Sequence, residues 1–371
     1  MMLALDILFY TFLLIIIVQF IYYGFIFSRF AFAKSKLPIQ KNIAVSVIIC
    51  AKNESQNLQL YLPYIIEQDY SDFEIVLIND ASHDNTLEII ESFAKKNSNI
   101  KIVNVENIEA FWGNKKYALT LGIKASTNDF LLFTDADCKP VSKHWIAAMS
   151  RHFSNTKSIV IGYGAYKKSN YSFLNTLIRY ETLLTAIQYF SYIKIGIPYM
   201  AVGRNLAYRK EEFFKVKGFT KHMNIRSGDD DLFVNQAANS VNTTLCFSKD
   251  SFTESLPETS LKDWFKQKRR HFSTSKYYKL KHKLMLVLFY ISQLMFWVLG
   301  TILLSFLFRW EIVITLILLR FIVQYVSIGF SAKKLNELDT LVLLPLFELF
   351  LIISQFFIFI SNLTSKTSNW R

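Results

Sequence analysis

Cysteine is scarce in this chain, and the three present, Cys50, Cys138 and Cys246, are odd in number and show no CxxC spacing. That usage suggests neither a disulfide framework nor a zinc site, and it agrees with a reducing compartment. Charge is scarce as well. Charged residues make up 19% of the 371 positions, hydrophobic residues 52% and aromatics 16%, which excludes disordered, collagen-like and small disulfide-scaffold architectures. The same balance argues against an entirely water-soluble chain. Acidic residues are in deficit, 29 against 42 Lys+Arg, for a formal net charge of +13. In another setting such an excess points to nucleic acid. Here it gathers beside long apolar runs, so no nucleic-acid partner is expected. The chain has no internal repeat and no low-complexity linker, and its length corresponds to roughly two to three domains.

What is abundant is uninterrupted apolar sequence. Residues 7–27 form one such run, and at 1.5 Å per residue it covers about 30 Å, the thickness of a bilayer core. A secretory signal is the rival reading, since Ala31-Phe32-Ala33 imitates a cleavage site. The start, however, carries Asp6 and no Lys or Arg, and the run is too long. Arg29, Lys34, Lys36 and Lys41 follow at once, and the positive-inside rule places the chain after them in the cytoplasm. Three further runs, 284–306, 312–330 and 341–361, are each long enough to cross. Lys262, Lys266, Lys268, Arg269, Arg270, Lys276, Lys279, Lys281 and Lys283 precede the first of them, and Lys333 and Lys334 mark the next cytoplasmic loop. Four crossings with both termini outside is the expected arrangement, with Lys366 and Arg371 in the final tail against it. Inside these runs Arg320, Gln324 and Glu348 are expensive if left facing lipid, and in this arrangement Arg320 and Glu348 lie at similar depth and are expected to pair.

The segment 45–280 lacks a spanning run and is expected to be the working domain. Residues 44–50 (AVSVIIC) read as a strand buried on both faces and 54–68 as a helix. Residues 74–78 (EIVLI) repeat the pattern, with Asp84 or Asn85 capping a helix that runs to Lys96. Residues 101–105 form a third strand, 115–125 a third helix and 129–134 (DFLLFT) a fourth strand. Such alternation predicts an α/β domain: a mostly parallel, Rossmann-like sheet with helices on both faces. In such a sheet, ligands bind at the carboxyl ends of the strands. Lys52, Asn53 and Glu54 end the first strand, Asp80 the second, and Asp135 and Asp137 the fourth. Turn preference alone accounts for Asp84 and Asn85, and poorly for the rest together. Asp135-Ala136-Asp137 sets two carboxylates one residue apart after a fully apolar strand, an arrangement that suits a hard divalent cation with substrate phosphates completing its sphere. Residues 171–199 are aromatic-rich and read equally as an interfacial amphipathic segment that guides a lipid-borne acceptor or as core packed against the membrane helices.

The ordered set of motifs from Val45 to about Lys279 resembles the family 2 glycosyltransferases, inverting enzymes of GT-A fold, and within them the membrane-bound cellulose synthase and ceramide glucosyltransferase-like branch. VSVIICAKNE looks like the family's first strand and base-binding turn, which implies donor contacts by Lys52, Asn53 and Glu54. EIVLINDASHDNT looks like its Asp-x-Ser-x-Asp segment and gives Asp80 and Asp84. Lys115-Lys116-Tyr117-Ala118-Leu119 is similar to the Lys-x-x-Ala-Leu helix start near the nucleotide, giving Lys115, and DADCKP is similar to the metal motif, giving Asp135 and Asp137 for Mn2+ or Mg2+. The segment from Gly203 to Arg209 resembles the one lining the acceptor side, with Gly203 and Asn205. Ser227-Gly228-Asp229-Asp230-Asp231-Leu232 stands in the place of the Glu-Asp motif that supplies the catalytic base. Anchored on Asp231-Leu232, the base is Asp229, and a shift of one makes it Asp230; Gly228 replaces the usual Glu. The bland reading of the three aspartates is a helix start favoured by acidic residues. Gln267-Lys268-Arg269-Arg270-His271 is similar to Gln-x-x-Arg-Trp, with Gln267 and Arg270 toward the acceptor or diphosphate and His271 where polymer-forming members have Trp.

The resemblance implies a glycosyltransferase that moves a sugar from a nucleotide diphosphate, by analogy a UDP-sugar, to a lipid-linked or glycan acceptor, with inversion and a divalent metal. It implies an integral protein of a bacterial inner membrane, with its catalytic domain cytoplasmic and a part in cell-envelope glycan or glycolipid synthesis. The expected organisation is an anchor at 1–28, a GT-A domain at 43–260, a basic interfacial segment at 261–283 and three membrane helices within 284–363. A processive polysaccharide synthase is the second reading, which four helices and His271 disfavour. A non-catalytic nucleotide-sugar-binding scaffold is the third, and neither the DxD nor the base is lost as that reading requires.

Overall fold

The computed structural model describes residues 1–35, 38–39, 42–106, 115–169, 171–225 and 227–364. Lys36, Lys41, Lys366 and Arg371, four of the basic residues that flank the apolar runs, lie outside the described residues. The chain opens with one long apolar helix, α1 (Met2–Ala31). It then alternates as the β-branched and helical-period runs require: β1 (Val45–Ala51), α2 (Ser55–Ile66), β2 (Phe73–Asp80), α3 (Thr86–Lys96), β3 (Ile100–Val105), α4 (Lys115–Ala125) and β4 (Phe130–Asp135). Every residue of β1 is buried, as a central strand covered on both faces must be. Helix α4 lies so close to β2 that a Cβ on Gly122 would meet Ile78 Cδ1 at 2.2 Å and force that side chain to move.

The second half is built from shorter pieces: β5 (Cys138–Pro140), α5 (Trp145–Ser150), β6 (Ile159–Ile161), β7 (Gly164–Tyr166), α6 (Phe173–Lys194), β8 (Leu206–Arg209), α7 (Lys210–Lys215), α8 (Asp231–Ala237), β9 (Thr243–Leu245) and β10 (Thr253–Ser255). Seven strands form one sheet in the order β3-β2-β1-β4-β8-β6-β9, and β5-β10-β7 form a small second sheet. Strands β3, β2, β1 and β4 run parallel, while β8 is antiparallel to β4 and to β6. The chain steps outward from β1 to β3 and then returns to the other side of β1 as β4. That reversal opens a crevice at the carboxyl ends of β1 and β4, where Cys50 and Asp135 are register partners.

Helix α6 resolves the two readings of residues 171–199 in favour of core packing. Leu177, Ile178, Leu183, Ile187 and Phe190 are fully buried, and each such side chain contributes about 1.5–3 kcal/mol. It joins the sheet to the apolar helices, with Phe190 4.9 Å from Phe30 and Tyr180 5.4 Å from Phe347 between ring centroids.

After α9 (Leu261–Phe272) the chain forms α10 (Leu280–Ser305), α11 (Trp310–Leu335) and, behind a 3₁₀ segment, α12 (Leu344–Thr364). Among the described residues, four helical segments are long and apolar enough to cross a membrane: Met2–Ala31, Leu280–Ser305, Trp310–Leu335 and Leu338–Thr364. Lys334 Nζ donates to the carbonyls of Phe30, Ala31 and Ala33 at 2.5–2.8 Å, which brings the end of α11 to the end of α1 beside the α/β domain. At the opposite pole Arg309 pairs with Asp6 at 2.8 Å. Between the poles the expected Arg320–Glu348 pair forms, fully buried, with Arg320 Nη1 2.9 Å from Glu348 Oε2. Gln19 and Gln324 accept from the same guanidinium, and Gln293 donates to Glu348, so both charges of this pair are matched inside the helices.

Helix α12 belongs to one of the four segments long and apolar enough to cross, and both of its ends also touch elements packed near the α/β domain. Near its start Phe347 packs on Phe173 and Tyr180 of α6, and near its end Arg269 of α9 donates to the Ser361 carbonyl at 2.9 Å and to Asn362 at 3.2 Å. Trp264 of α9 packs on Phe350 in between. Because α9 is itself tied to α6 by the buried Lys268–Glu181 pair, both ends of α12 are linked to the α/β domain. Arg269 on the polar face of α9 thereby satisfies the Ser361 carbonyl in the last turn of α12.

Candidate active site

The crevice at the β1/β4 switch point is lined by Cys50, Lys115, Asp135, Gly203, Asp229 and Asp230. Strand β4 delivers Asp135 at its last position, and α4 delivers Lys115 at its first. Lys115 Nζ lies 2.8 Å from Asp135 Oδ1 and 3.4 Å from Asp229 Oδ2, so one ammonium joins two carboxylates from opposite sides of the cleft. Burial opposes its charge, but Asp135 and Asp229 outweigh burial and hold Lys115 well above the ordinary lysine value. For Asp135 burial pushes upward, and Lys115, with smaller help from Arg204 and Arg270, brings it below the usual carboxylate range.

Asp137 is held up by burial and by the charge of Asp135 beside it. Among the described residues, Asp135, Asp137 and Cys138 offer ligand atoms within 4.8 Å of one another. Two crowded carboxylates whose mutual repulsion raises one of them are a donor set that a hard divalent cation would relieve, so these residues fit such an ion. Cys138 is buried and its thiol donates to Asp137, so it stands as a neighbour of the pair.

Of the three consecutive aspartates, each has a different environment. Asp229 faces Lys115 across the cleft. Asp230 caps α8, accepting from the backbone N–H of Asp231 at 2.7 Å and of Gly203 at 2.6 Å. Burial, then Asp229 and Asp231, push Asp230 up to about 8. Asp231 turns away from the cleft toward Thr274 and Tyr278. Gly228 has φ +94°, and a Cβ there would meet Leu232 Cδ1 at 2.5 Å, so this turn excludes the Glu that the resemblance leads one to expect.

The strand-end residues divide. Asp80 is buried with Lys52 Nζ 3.9 Å away and its Oδ2 without a hydrogen bond, and burial raises its carboxyl. Asn53, at φ 56°, accepts from the His83 N–H at 2.9 Å, while its own N–H donates to Ser82. Glu54 accepts from Asn57, and burial raises it too. Asp84 is exposed and accepts from Thr86 and from the N–H of Ser55, which makes it a tie between the loops after β1 and β2.

On the other side of the cleft, Gly203 borders Asp230, and a Cβ on it would stand 3.3 Å from Asp230 Oδ2. Asn205 does not line the cleft. It is fully buried, accepting from Trp145 Nε1 at 3.1 Å and donating to the carbonyls of Tyr163 and Ser251, so it braces the segment that carries Gly203. Gln267 donates to Glu258 and is 3.5 Å from the Tyr166 hydroxyl; Arg270 contributes charge toward Asp135, and His271 is exposed at the surface.

Three residues that matter here escaped the reading of the sequence. Lys116, fully buried, donates to the carbonyls of His222, Ile225 and Ser227 at 2.6–2.9 Å and so clamps the loop that leads to Asp229. Arg204 stacks 4.1 Å above the Tyr166 ring and donates to Ser255 and to the Gly164 carbonyl, which ties the small sheet to Gly203. Thr274 holds Asp231 from outside the aligned motifs. The paired Lys115-Lys116 at a helix start was the one signal available, since consecutive positions on a helix face different ways.

Residues 46–217 match the profile of glycosyl transferase family 2. A poly-β-1,6-N-acetyl-D-glucosamine synthase of Staphylococcus epidermidis is 38% identical over 125 residues, 33% of this chain and 29% of that protein. A cholesterol galactosyltransferase of Borreliella burgdorferi is 34% identical over 93 residues, 25% of each chain. The chain thus spans about a quarter to a third of the length of the curated relatives it matches. A mannosyltransferase of Pyrobaculum calidifontis, solved with GDP-Man and Mn2+, superposes with a TM-score of 0.59 over 90% of this chain and 99% of that one at 16% identity, a likeness of fold. From its motifs, sheet order and these likenesses, the chain carries a glycosyl transferase family 2 domain of GT-A fold, set against apolar helices long enough to cross a membrane.

Proposed function

We propose that this chain is a membrane-embedded, metal-dependent inverting glycosyltransferase that takes a sugar from a nucleotide diphosphate, with a uridine nucleotide favoured, to a lipid-linked or glycan acceptor at the cytoplasmic face. The observation that carries this reading is the Lys115 bridge between Asp135 and Asp229, which gathers a metal-motif carboxylate, a fixed cation and a second carboxylate in one cleft. Asp135 and Asp137 would hold Mn2+ or Mg2+, which when bound neutralises charge on the departing diphosphate. Lys115 adds a second, permanent positive charge on the same side. Lys52, Asn53, Glu54 and Asp80 line the way to the nucleoside, and the unpartnered Asp80 Oδ2 is an acceptor for a base N–H.

Asp229 takes the acceptor hydroxyl's proton. It is favoured over Asp230 because two backbone N–H groups already occupy the Asp230 carboxylate, while Asp229 opens on the cleft. One base and no separate nucleophile means a single displacement, hence inversion at the anomeric carbon. Gly203, Gln267, Arg270 and His271 border the acceptor side. A processive synthase is the second reading, and the identity to the staphylococcal synthase favours it; that match covers 29% of the synthase.

The test is nucleotide release by full-length protein in detergent, with UDP-glucose, UDP-galactose, UDP-N-acetylglucosamine and GDP-mannose each offered beside Mn2+ or Mg2+ and a bacterial lipid extract. Release from one donor that EDTA abolishes is the expected result. Absence of both release and nucleotide binding would remove the transferase reading.

A further inference from the structure

The turn that presents Asp229 is held from the membrane side of the molecule. Asp231 is 8% exposed, and one of its oxygens accepts hydrogen bonds from two hydroxyls, Thr274 Oγ1 and Tyr278 Oη, the latter at 2.6 Å. Its other oxygen accepts from the Leu232 N–H at 2.7 Å. Both hydroxyl residues are buried and lie on the stretch between α9 and α10, 43 and 47 positions away in sequence. Four residues further along α8, Asn235 repeats the attachment. Its Oδ1 accepts from the Lys279 N–H at 3.0 Å, and its Nδ2 lies 2.9 Å from His282 Nδ1 and donates to the Tyr199 carbonyl. Helix α8 is therefore docked by its buried polar face onto the entry of membrane helix α10, with the cleft carboxylates at its free end.

Buried polar contacts of this density are costly unless each is satisfied, so they fix one geometry. We propose that Thr274 and Tyr278 are positioning residues for sugar transfer: they fix Asp231, and through it the turn that points Asp229 into the cleft. The inference rests on the transferase reading above and adds to it a link between the membrane segment and the base. Neither hydroxyl touches the donor side, so their loss spares nucleotide binding and slows the chemical step.

The charge of Asp231 supplies a second readout. Around it stand Asp229 and Asp230 on its own turn, Lys116 from α4, Tyr199 after α6, and Tyr278. Burial raises Asp231 while the two hydroxyls oppose that rise. Without them it takes up a proton at higher pH, so on top of the positioning loss present at every pH a variant shows a further deficit in the pH window where its Asp231 is protonated and that of wild type is not.

The experiment compares wild type, Thr274→Ser, Thr274→Val and Tyr278→Phe in full-length, detergent-purified protein, measuring metal-dependent nucleotide release from the donor that wild type uses. Expected are kcat losses of about tenfold or more for Thr274→Val and Tyr278→Phe, donor KM within about twofold, and Thr274→Ser close to wild type. The acid limb of the kcat profile moves to higher pH in both impaired variants. Should Tyr278→Phe fail to bind nucleotide, the Thr274→Val and Thr274→Ser pair decides alone. Wild-type kcat in both hydroxyl-free variants, or a loss carried by donor KM, overturns the positioning role and leaves the transferase intact. A wild type that turns over no donor removes the transferase reading and this role with it.

Discussion

The ammonium of Lys115 sits 3.4 Å from Asp229 Oδ2 while holding Asp135 Oδ1 at 2.8 Å. A single side chain at a helix start thus bridges Asp135 and the proposed base Asp229, and its one positive charge offsets part of their combined negative charge. Lys115→Met leaves two carboxylates facing each other and removes a charge aimed at the leaving diphosphate. A fall in kcat of about 10²-fold or more is expected, with weaker nucleotide binding, measured by nucleotide release and by calorimetry. Full activity in this variant would mean that the bridge is only a resting contact.

Asp230 gives a pH signature. It keeps its proton in the fold up to about pH 8, whereas an unfolded aspartate releases it near 3.8. Between those values the folded protein binds more protons than the unfolded chain, so stability falls as pH rises through the window. In metal-free protein the apparent Tm of wild type should drop more steeply from pH 5 to pH 8 than that of Asp230→Asn, which has no such proton. Parallel curves would contradict the raised value.

The strand-end residues near the cleft were legible because apolar runs followed by polar residues announce a parallel strand and its carboxyl end at once. Asp80 and Asp135 were singled out in this way, and Lys115 by its place in the helix-start motif. Asp84 and Asn205 share the same motifs, yet one ties two loops at the surface and the other braces buried backbone. Motif position fixes where a residue lies, and only packing fixes which way it points. Thr274 and Tyr278, and the role of Lys116 beyond its place beside Lys115, were illegible for a different reason. A hydroxyl or ammonium that satisfies distant buried groups leaves no periodic trace, and its partners lie 43 to 111 positions away. The three-residue strands β5, β7 and β10 are too short to show alternation, which is why the small sheet was missed.

The Arg320–Glu348 pair was legible from depth alone, because two opposite charges in apolar runs have few other ways to be satisfied. Arg320→Leu strands a buried carboxylate, and a loss of about 3–5 kcal/mol is expected. Arg320→Leu with Glu348→Leu should recover part of it, the remainder reflecting the bonds that Gln19, Gln293 and Gln324 make to the pair and would lose. Thermal unfolding in detergent measures both. A double variant no better than the single would sink the pairing as the stabilising contact.

The docking of α12 on α9 makes a prediction of sidedness. Leu363 is exposed at the end of α12, beside the Asn362 that Arg269 binds. In sealed vesicles, Leu363→Cys should react with a membrane-impermeant thiol reagent from the same side as Lys210→Cys in the α/β domain. Leu3→Cys, near the opposite pole, should react from the other side. Labelling of Leu363→Cys together with Leu3→Cys would show that α12 crosses to that side.

The most direct test of the central claim is Asp229→Asn. The amide keeps the shape of the side chain and cannot take a proton, so a loss of about 10²–10⁴-fold in metal-dependent nucleotide release is expected, with nucleotide binding retained in the same preparation. Release at the wild-type rate by Asp229→Asn would contradict the assignment of this carboxylate as the base.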